Sequence, residues 1–310
     1  MKRRNFIKNT AASGIALTGL AGMMNASATE TVASNAAKFK LKYAPGLGTF
    51  KEHAGSDPID NIKFMADQGF RAIFDNGLMG KTPEMQEKIS AELARQGMDI
   101  GPFVLYGDFG VKSMVLNDEE SRKMLKEKLA LGIETYKRTG AKYALMVPGK
   151  YDDKLEWDYQ TANVIQCMRE LSEIAEKAGM VIVLEPLNRW NHPGLFLTGI
   201  PQTYMICKAV NSPSCKIVND MYHQQITEGN LIPNIDRAWD EIGAFHIGDN
   251  PGRNEPTTGE INYKNVFQHI YKKGYDGVLC CEHGNSNRNK GKEGEKLWIK
   301  AYREADSFEV

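Results

Sequence analysis

A repeated order of apolar run, helical stretch and glycine is the feature that most limits how this chain can fold. Between residues 40 and 304, eight short apolar runs alternate with eight stretches of helical periodicity, and several of these stop at a glycine such as Gly97, Gly140 or Gly179. Glycine is favoured just after a helix because the chain often adopts a left-handed conformation there. Short continuous apolar runs between helices are typical of strands that are buried on both faces. The alternation therefore predicts consecutive βα units around a parallel sheet.

The predicted elements are numerous enough to close a barrel. The predicted strands are residues 40–44, 70–74, 100–105, 143–147, 181–184, 216–218, 242–247 and 278–281. The predicted helices are residues 58–68, 82–96, 118–139, 159–178, 201–210, 231–239, 263–272 and 292–304. This count favours an α/β fold of the (β/α)₈ TIM barrel type, as a single domain over residues 40–310. An open doubly wound sheet is the alternative, but no G-x-G-x-x-G follows the first strand.

The first 28 residues resemble an export signal. Basic residues between Lys2 and Lys8 precede an apolar stretch rich in glycine and alanine, and Ala26-Ser27-Ala28 is a small-x-small cleavage site. The run RRNFIK resembles the twin-arginine motif, which predicts export to the periplasm as a folded protein. A retained membrane anchor is the alternative, although the apolar stretch is short and interrupted. Residues 29–39 are predicted to form a flexible mature N-terminus, and no stable membrane span is expected after processing.

The charge balance indicates the class of partner, and the cysteine content indicates whether disulfides are expected. Lys and Arg total 39, as do Asp and Glu, so no basic excess points to nucleic acid. A small-molecule substrate is expected instead, and a homo-oligomer stays open. The five cysteines are odd in number and show no C-x-x-C spacing, so we expect buried free thiols.

Four polar side chains follow the last four predicted strands, one at each strand end. They are Glu185, Asp220, His246 and Glu282, separated by 35, 26 and 36 residues. In a TIM barrel the carboxyl ends of the strands meet at one mouth, where active sites lie. Three carboxylates buried together would repel one another unless a cation is present. The sequence therefore predicts a divalent metal held by these four residues, with Mn²⁺, Mg²⁺ or Co²⁺ favoured and Zn²⁺ also compatible.

Several motifs resemble the hydroxypyruvate isomerase group of the xylose-isomerase-like sugar isomerases and epimerases. These are LEPLN, the D-x-x-H that ends at His223, HIGDNPGRNEPTTGEINY and the terminal CEH. The resemblance implies that Glu185 and Glu282 are a catalytic acid/base pair. It also implies that His223 and Arg253 contact the substrate, and Glu255, in the same loop as Arg253, is a further candidate. The chain departs from the narrow group at His246, where that group has Gln, and at Glu282-His283, where it has Glu-Tyr.

The predicted function is isomerisation of a small α-hydroxy carbonyl compound by enediolate proton transfer between the two glutamates. Return of the proton to the neighbouring carbon isomerises the substrate, and return to the opposite face of the same carbon epimerises it. An exported sugar or keto-sugar epimerase is therefore an alternative. A non-catalytic sugar-binding module is another, although binding alone needs no acid/base pair. The loop residues His53, Trp190 and His192 are either pocket lining or ordinary loop positions.

Overall fold

The structure is a computed structural model that describes residues 36–310. The predicted export signal and most of the predicted flexible N-terminus lie outside the described residues. At the end of that stretch, Phe39 is only 2% exposed and its ring stacks on Phe70, with ring centroids 4.6 Å apart. The packed part of the chain therefore begins just before residue 40, slightly earlier than predicted.

The strands form two parallel β-sheets. They are β1 Lys42–Pro45, β2 Ala72–Ile73, β3 Asp99–Ile100, β4 Phe103–Tyr106, β5 Tyr143–Met146, β6 Val181–Leu184, β7 Cys215–Asp220, β8 Ile242–His246 and β9 Val278–Cys281. Seven of them pair in the order β1-β9-β8-β7-β6-β5-β4, and β2 pairs with β3. All of these pairs are parallel. Parallel pairing brings the carboxyl ends of the strands to the same end of the sheets, as the predicted barrel requires.

The two sheets are connected beside β1, and this connection completes the TIM-barrel arrangement. A parallel bridge links Gly46 to Phe74, and the amide of Leu47 donates to the carbonyl of Phe74 at 3.2 Å. The single strand predicted at residues 100–105 is wrong in detail, because it is divided between Ile100 and Phe103. The backbone N–H of Gly101 still donates to the carbonyl of Ile73 at 2.8 Å, so the interruption is at Pro102. Proline has no N–H to donate to a neighbouring strand. A Cβ at Gly101 would lie 2.5 Å from the sulfur of Cys280, so this position requires glycine.

The helices follow the strands closely in sequence. They are α1 Lys51–Ala54, α2 Pro58–Asp67, α3 Pro83–Gln96, α4 Ser113–Leu116, α5 Glu119–Thr139, α6 Trp157–Ala178, α7 Ile200–Val210, α8 Met221–Thr227, α9 Leu231–Ala238, α10 Tyr263–Lys272 and α11 Lys292–Ala305. The three short helices α1, α4 and α8 were not predicted, since each is too brief to show helical periodicity. Within the described range, none of the helices has the length and hydropathy needed to cross a membrane.

Alternation along the strands decides which side chains enter the barrel. Val183, Val218 and Ala244 belong to one buried cluster, separate from the larger cluster that contains Ile217 and Phe245. Successive strand residues point to opposite faces, so residues two positions apart share a face. Glu185, Asp220 and His246 lie two residues after Val183, Val218 and Ala244, and Glu282 lies two residues after Cys280. All four strand-end residues therefore lie on the same face of the sheet.

The cysteines are structural. All five are free and buried, as expected from the sequence. The closest described pair is Cys207 and Cys215, whose sulfur atoms are 3.8 Å apart.

Candidate active site

Four strand-end side chains converge at the mouth of the barrel. One ligand atom from each of Glu185, Asp220, His246 and Glu282 lies within 4.8 Å of the others. Glu185 and Asp220 are 5% and 2% exposed, and His246 is fully buried. The structure thus brings together the four residues that were selected because each follows the end of a predicted strand, which is the strand-end rule.

His246 lies between the two glutamates. Its Nδ1 is 3.2 Å from Oε1 of Glu185 and 3.2 Å from Oε2 of Glu282. Burial alone would lower the pKa of His246, but the charge of Glu282 and the contacts with both glutamates outweigh burial and raise this pKa well above its usual value. One imidazole is therefore shared by two carboxylates.

The two glutamates have pKa values shifted in opposite directions. Burial and the neighbouring charge of Glu282 raise the pKa of Glu185 to about 7. Burial also acts to raise the pKa of Glu282, but the charges of His246 and Arg253 and a hydrogen bond from Asn76 together lower it. The amide of Asn76 donates to Oε1 of Glu282 at 2.6 Å. Carboxyl groups with such separated pKa values suit the two partners of a proton-transfer pair.

Asp220 has two separate tasks, one for each oxygen. Oδ1 accepts the backbone N–H groups of Tyr222 and His223 at 2.8 and 3.0 Å, so the carboxylate caps α8. Oδ2 is 3.7 Å from Nε2 of His223 and 3.4 Å from the guanidinium of Arg253. The cap explains the D-x-x-H spacing, because it starts a helix whose first turn carries His223 back towards Asp220.

Asn188 determines which nitrogen of His223 carries the proton. The backbone N–H of Asn188 donates to Nδ1 at 3.3 Å, and the side-chain nitrogen of Asn188 is 2.7 Å from the same atom. Nδ1 is therefore an acceptor, and the proton resides on Nε2. Burial lowers the pKa of His223 to about 4, which keeps the ring neutral. Nε2 is buried without a hydrogen-bond partner among the described residues, so it is available to donate to a ligand.

Arg253 reaches the cluster from the long loop after β8. Asp249 is fully buried and accepts the backbone N–H groups of Gly259 and Ile261, which folds this loop. The guanidinium of Arg253 donates to Oε2 of Glu282 at 2.8 Å and lies 4.9 Å from the ring of Tyr222. A positive charge is thus placed beside the carboxylates.

Two candidate residues are not brought into the cluster. Glu255 is 2% exposed, and its carboxylate accepts the backbone N–H of Ser286 at 2.9 Å and the Ser286 hydroxyl. These contacts brace the loop after β8 against the loop after β9. His53 instead faces Glu295, which also accepts the backbone N–H groups of Glu52 and His53. Neither contact could be read from the sequence, because each joins segments that are distant along the chain.

Two asparagines that orient the cluster were not predicted from the sequence. Asn76 follows β2 and could have been found by the same strand-end rule, although a neutral amide gives a weaker signal than a carboxylate. Asn188 lies three residues after Glu185 and is fully buried. Its importance depends on contact with His223, which only the fold reveals.

The residues present fit a divalent cation. Three carboxylates and one imidazole form a donor set that Mn²⁺, Mg²⁺, Co²⁺ and Zn²⁺ accept. Oε1 of Glu185 is buried, lacks a well-aligned hydrogen bond among the described residues, and lies 3.2 Å from Nδ1 of His246. A buried oxygen that carries negative charge and lacks a donor is costly unless a cation offsets it.

Relatives identified by sequence are isomerases. The chain is 30% identical to the hydroxypyruvate isomerase of Escherichia coli over 197 residues, which are 64% of this chain and 74% of that protein. It is 32% identical to the 2-oxo-tetronate isomerase of Cupriavidus necator over 141 residues, which are 46% of this chain and 53% of that protein. The second match thus spans about half the length of its relative.

Solved structures share the fold at lower identity. A family 2 AP endonuclease from Brucella melitensis superposes with a TM-score of 0.72 at 21% identity, covering 84% of this chain and 99% of that chain. The 3-keto-D-glucoside 4-epimerase of Escherichia coli gives a TM-score of 0.68 at 19% identity, with the same coverage. The IOLI protein, whose structure has a bound zinc atom, gives 0.69 at 21% identity, covering 87% of this chain and all of that chain.

The family model described as "Xylose isomerase-like TIM barrel" matches residues 62–303, which include all four residues of the cluster. The chain belongs to the xylose isomerase-like TIM barrel family, and it is an isomerase or epimerase similar to the hydroxypyruvate isomerases.

Proposed function

We propose that the protein is a metal-dependent isomerase or epimerase that acts on a small α-hydroxy carbonyl compound. The observation that carries this proposal is the convergence of Glu185, Asp220, His246 and Glu282 within 4.8 Å at the barrel mouth. The two glutamates lie on either side of His246, so a substrate held above the cluster would have a carboxylate at each flank. This arrangement suits removal of a proton by one group and its return by another.

The side chains divide the work of the reaction. One glutamate takes the proton from the carbon beside the carbonyl, and the electron pair of that C–H bond moves into a new carbon–carbon double bond as the carbonyl oxygen gains negative charge. In epimerisation the other glutamate returns a proton to the opposite face of the same carbon, and the original carbonyl is restored. In isomerisation the proton returns to the former carbonyl carbon, while the hydroxyl proton moves to the former carbonyl oxygen and a new carbonyl forms at the former hydroxyl carbon. His223 donates from Nε2 to a substrate oxygen, and the guanidinium of Arg253 supplies positive charge beside it. A divalent cation held by the four cluster residues would further stabilise the negative charge on the substrate oxygens.

Two related classes of substrate are compatible with the proposed reaction, small keto acids and keto-sugars. The named sequence relatives act on hydroxypyruvate and 2-oxo-tetronate, which are small keto acids and favour isomerisation. The 3-keto-D-glucoside 4-epimerase shares the fold and favours the alternative of a keto-sugar epimerase. A non-catalytic sugar-binding module is the remaining alternative, and the pair of flanking glutamates argues against it.

Exchange of carbon-bound hydrogen tests the function directly. The Mn²⁺-loaded protein is expected to introduce deuterium at the α-carbon of at least one compound from a panel of keto acids, keto-hexoses and keto-glycosides in D₂O. The exchange arises because the glutamate that removes the proton equilibrates with solvent before the proton returns. NMR spectra of the panel provide the measurement. Binding without deuterium incorporation anywhere in the panel would favour the sugar-binding module.

We also propose that the protein is exported through a twin-arginine signal, on the evidence of residues 1–28 alone. Replacing Arg3 and Arg4 with lysine is expected to leave the protein in the cytoplasm with its signal uncleaved, because the export machinery reads the arginine pair. Cell fractionation and N-terminal sequencing provide the measurement. A matched Lys2→Arg variant should be exported normally. Normal periplasmic recovery of the double-lysine variant would count against this route.

A further inference from the structure

Exposed aromatic side chains are confined to one side of the barrel mouth. In the part of the chain that the structure describes, the exposed phenylalanine, tyrosine and tryptophan side chains are Phe109, Tyr151, Trp157, Tyr159 and Trp190. All of them follow β4, β5 or β6 in the sequence, on the side of the carboxyl ends of these strands, where the candidate site lies. Exposed apolar groups clustered beside a site mark a surface that binds a ligand or a partner.

The loops that carry these rings are joined into one surface. The backbone N–H of Lys150 donates to the carbonyl of Val111 at 2.8 Å, which links the loops after β4 and β5. The backbone N–H of Tyr151 donates to the carbonyl of Gly194 at 3.0 Å, which links the loops after β5 and β6. Loops fixed in this way hold their side chains ready for a ligand, so less conformational entropy is lost on binding.

The ring of Phe109 and the backbone of Trp190 are both connected to the candidate active site. The ring of Phe109 lies 5.1 Å from that of His192, which in turn lies 5.3 Å from that of His223. Trp190 is 59% exposed, and its backbone N–H donates to the side-chain oxygen of Asn188 at 3.1 Å. The same asparagine holds His223, so the backbone at Trp190 is tied to that histidine, whereas Phe109 lies one imidazole, that of His192, outward from it.

His192 supplies a polar atom beside the Phe109 ring. Its Nε2 is buried and has no hydrogen-bond partner among the described residues. Burial and the charge of Arg253 lower the pKa of His192, so the ring is neutral. A buried polar nitrogen without a partner is rare in folded proteins and marks a place where a ligand or ordered water bonds. Apolar rings beside such an atom suit a sugar, which has apolar C–H faces and hydroxyl edges.

We propose that Phe109, His192 and Trp190 form a second subsite, which holds the distal ring of a glycoside. The substrate is then a keto-sugar that carries a second ring through a glycosidic bond. A three-carbon acid spans roughly 4 Å or less, given bond lengths of about 1.5 Å. Such an acid bound at the cluster does not also reach Phe109, which lies beyond two ring spacings of 5.1 and 5.3 Å. This inference rests on the proposed function and specifies its substrate class.

The test compares a disaccharide that carries a ketone on one ring with the matching free keto-hexose. Wild-type kcat/KM is expected to be about tenfold higher for the keto-disaccharide. Phe109→Ala and Trp190→Ala should each lower that value about fivefold to tenfold, as expected for loss of one aromatic contact, and change the keto-hexose value less than twofold. Leu131→Ala is the control, because this apolar side chain is 57% exposed within α5 rather than in the loops that carry Phe109 and Trp190, and its loss should affect neither substrate.

Three outcomes would overturn the subsite. Equal wild-type kcat/KM for the two substrates is one, and a uniform loss of activity on both substrates in the variants is another. Dissociation of a dimer by Trp190→Ala in sedimentation experiments is the third, because the rings would then belong to an interface between copies. If no substrate is turned over, the proposed function fails separately. The subsite is then judged by NMR line broadening of an unreactive disaccharide, which wild type should cause and Trp190→Ala should not.

Discussion

Replacing Glu282 with glutamine is expected to lower kcat by about 10²–10⁴-fold while the protein remains folded. Glutamine has nearly the shape of glutamate but cannot accept a proton from carbon. Its amide oxygen can still accept the hydrogen bond from Asn76, which spans 2.6 Å in the native protein. The assay is turnover at saturating Mn²⁺, because the substitution also weakens one ligand of the proposed metal site. Substrate should still protect the variant against proteolysis.

The corresponding Glu185→Gln variant separates the two proton-transfer roles. If the glutamates act in sequence, both variants lose net turnover. The variant that retains the first base should still introduce deuterium at the α-carbon, because that base continues to remove the proton. Glu260→Gln is the matched control, since within residues 36–310 this exposed loop carboxylate bonds only the amides of Asn250 and Gln225. Its kcat should stay within about twofold of wild type, and a Glu282→Gln variant within tenfold of wild type would refute the assigned role.

The candidate cluster could be predicted from the sequence because its geometry follows from the fold class. Once the strands are parallel and regularly spaced, their carboxyl ends meet at one mouth. The alternation of side chains then places residues two positions after Val183, Val218 and Ala244 on the inner face. Charged residues at those positions stand out against the apolar runs. The regular spacing thus supplied information about both the barrel and the location of the site.

The residues that orient the cluster were much harder to predict. Asn188 acts through a contact with His223, a residue 35 positions away. Glu255 stands in a motif associated with the site, yet its carboxylate bonds Ser286, which is 31 positions away. Contacts of this kind depend on loop conformations, which hydrophobic periodicity does not encode. The break between β3 and β4 was equally hard to predict, because it depends on Pro102 and on the close approach of Gly101 to Cys280, which is distant in the sequence.

Adding and removing metal is expected to change both activity and thermal stability. Chelation should abolish turnover, and adding Mn²⁺ at about 100 times its Kd should stabilise the fold by about 2.7 kcal/mol. For a chain of this size, that corresponds to a rise in Tm of roughly 5 °C. The physical reason is that three carboxylates and a buried histidine lie within 4.8 Å, where a cation offsets their repulsion. Differential scanning calorimetry with and without Mn²⁺ provides the measurement.

Two carboxylate variants make the metal prediction specific. Glu185→Gln removes a proposed ligand and also the repulsion between Glu185 and Glu282, so its Tm without metal should equal or exceed that of wild type. Its metal-induced rise should nevertheless disappear. Glu255→Gln should behave in the opposite way, because replacing one carboxylate oxygen with an amide NH₂ loses one of the two bonds that Glu255 accepts from Ser286. This loss should lower the Tm with and without metal and leave the metal-induced rise intact. An unchanged metal response in Glu185→Gln would show that the cation binds outside the cluster. The proton-transfer pair would then have to act without a cation held between its two members.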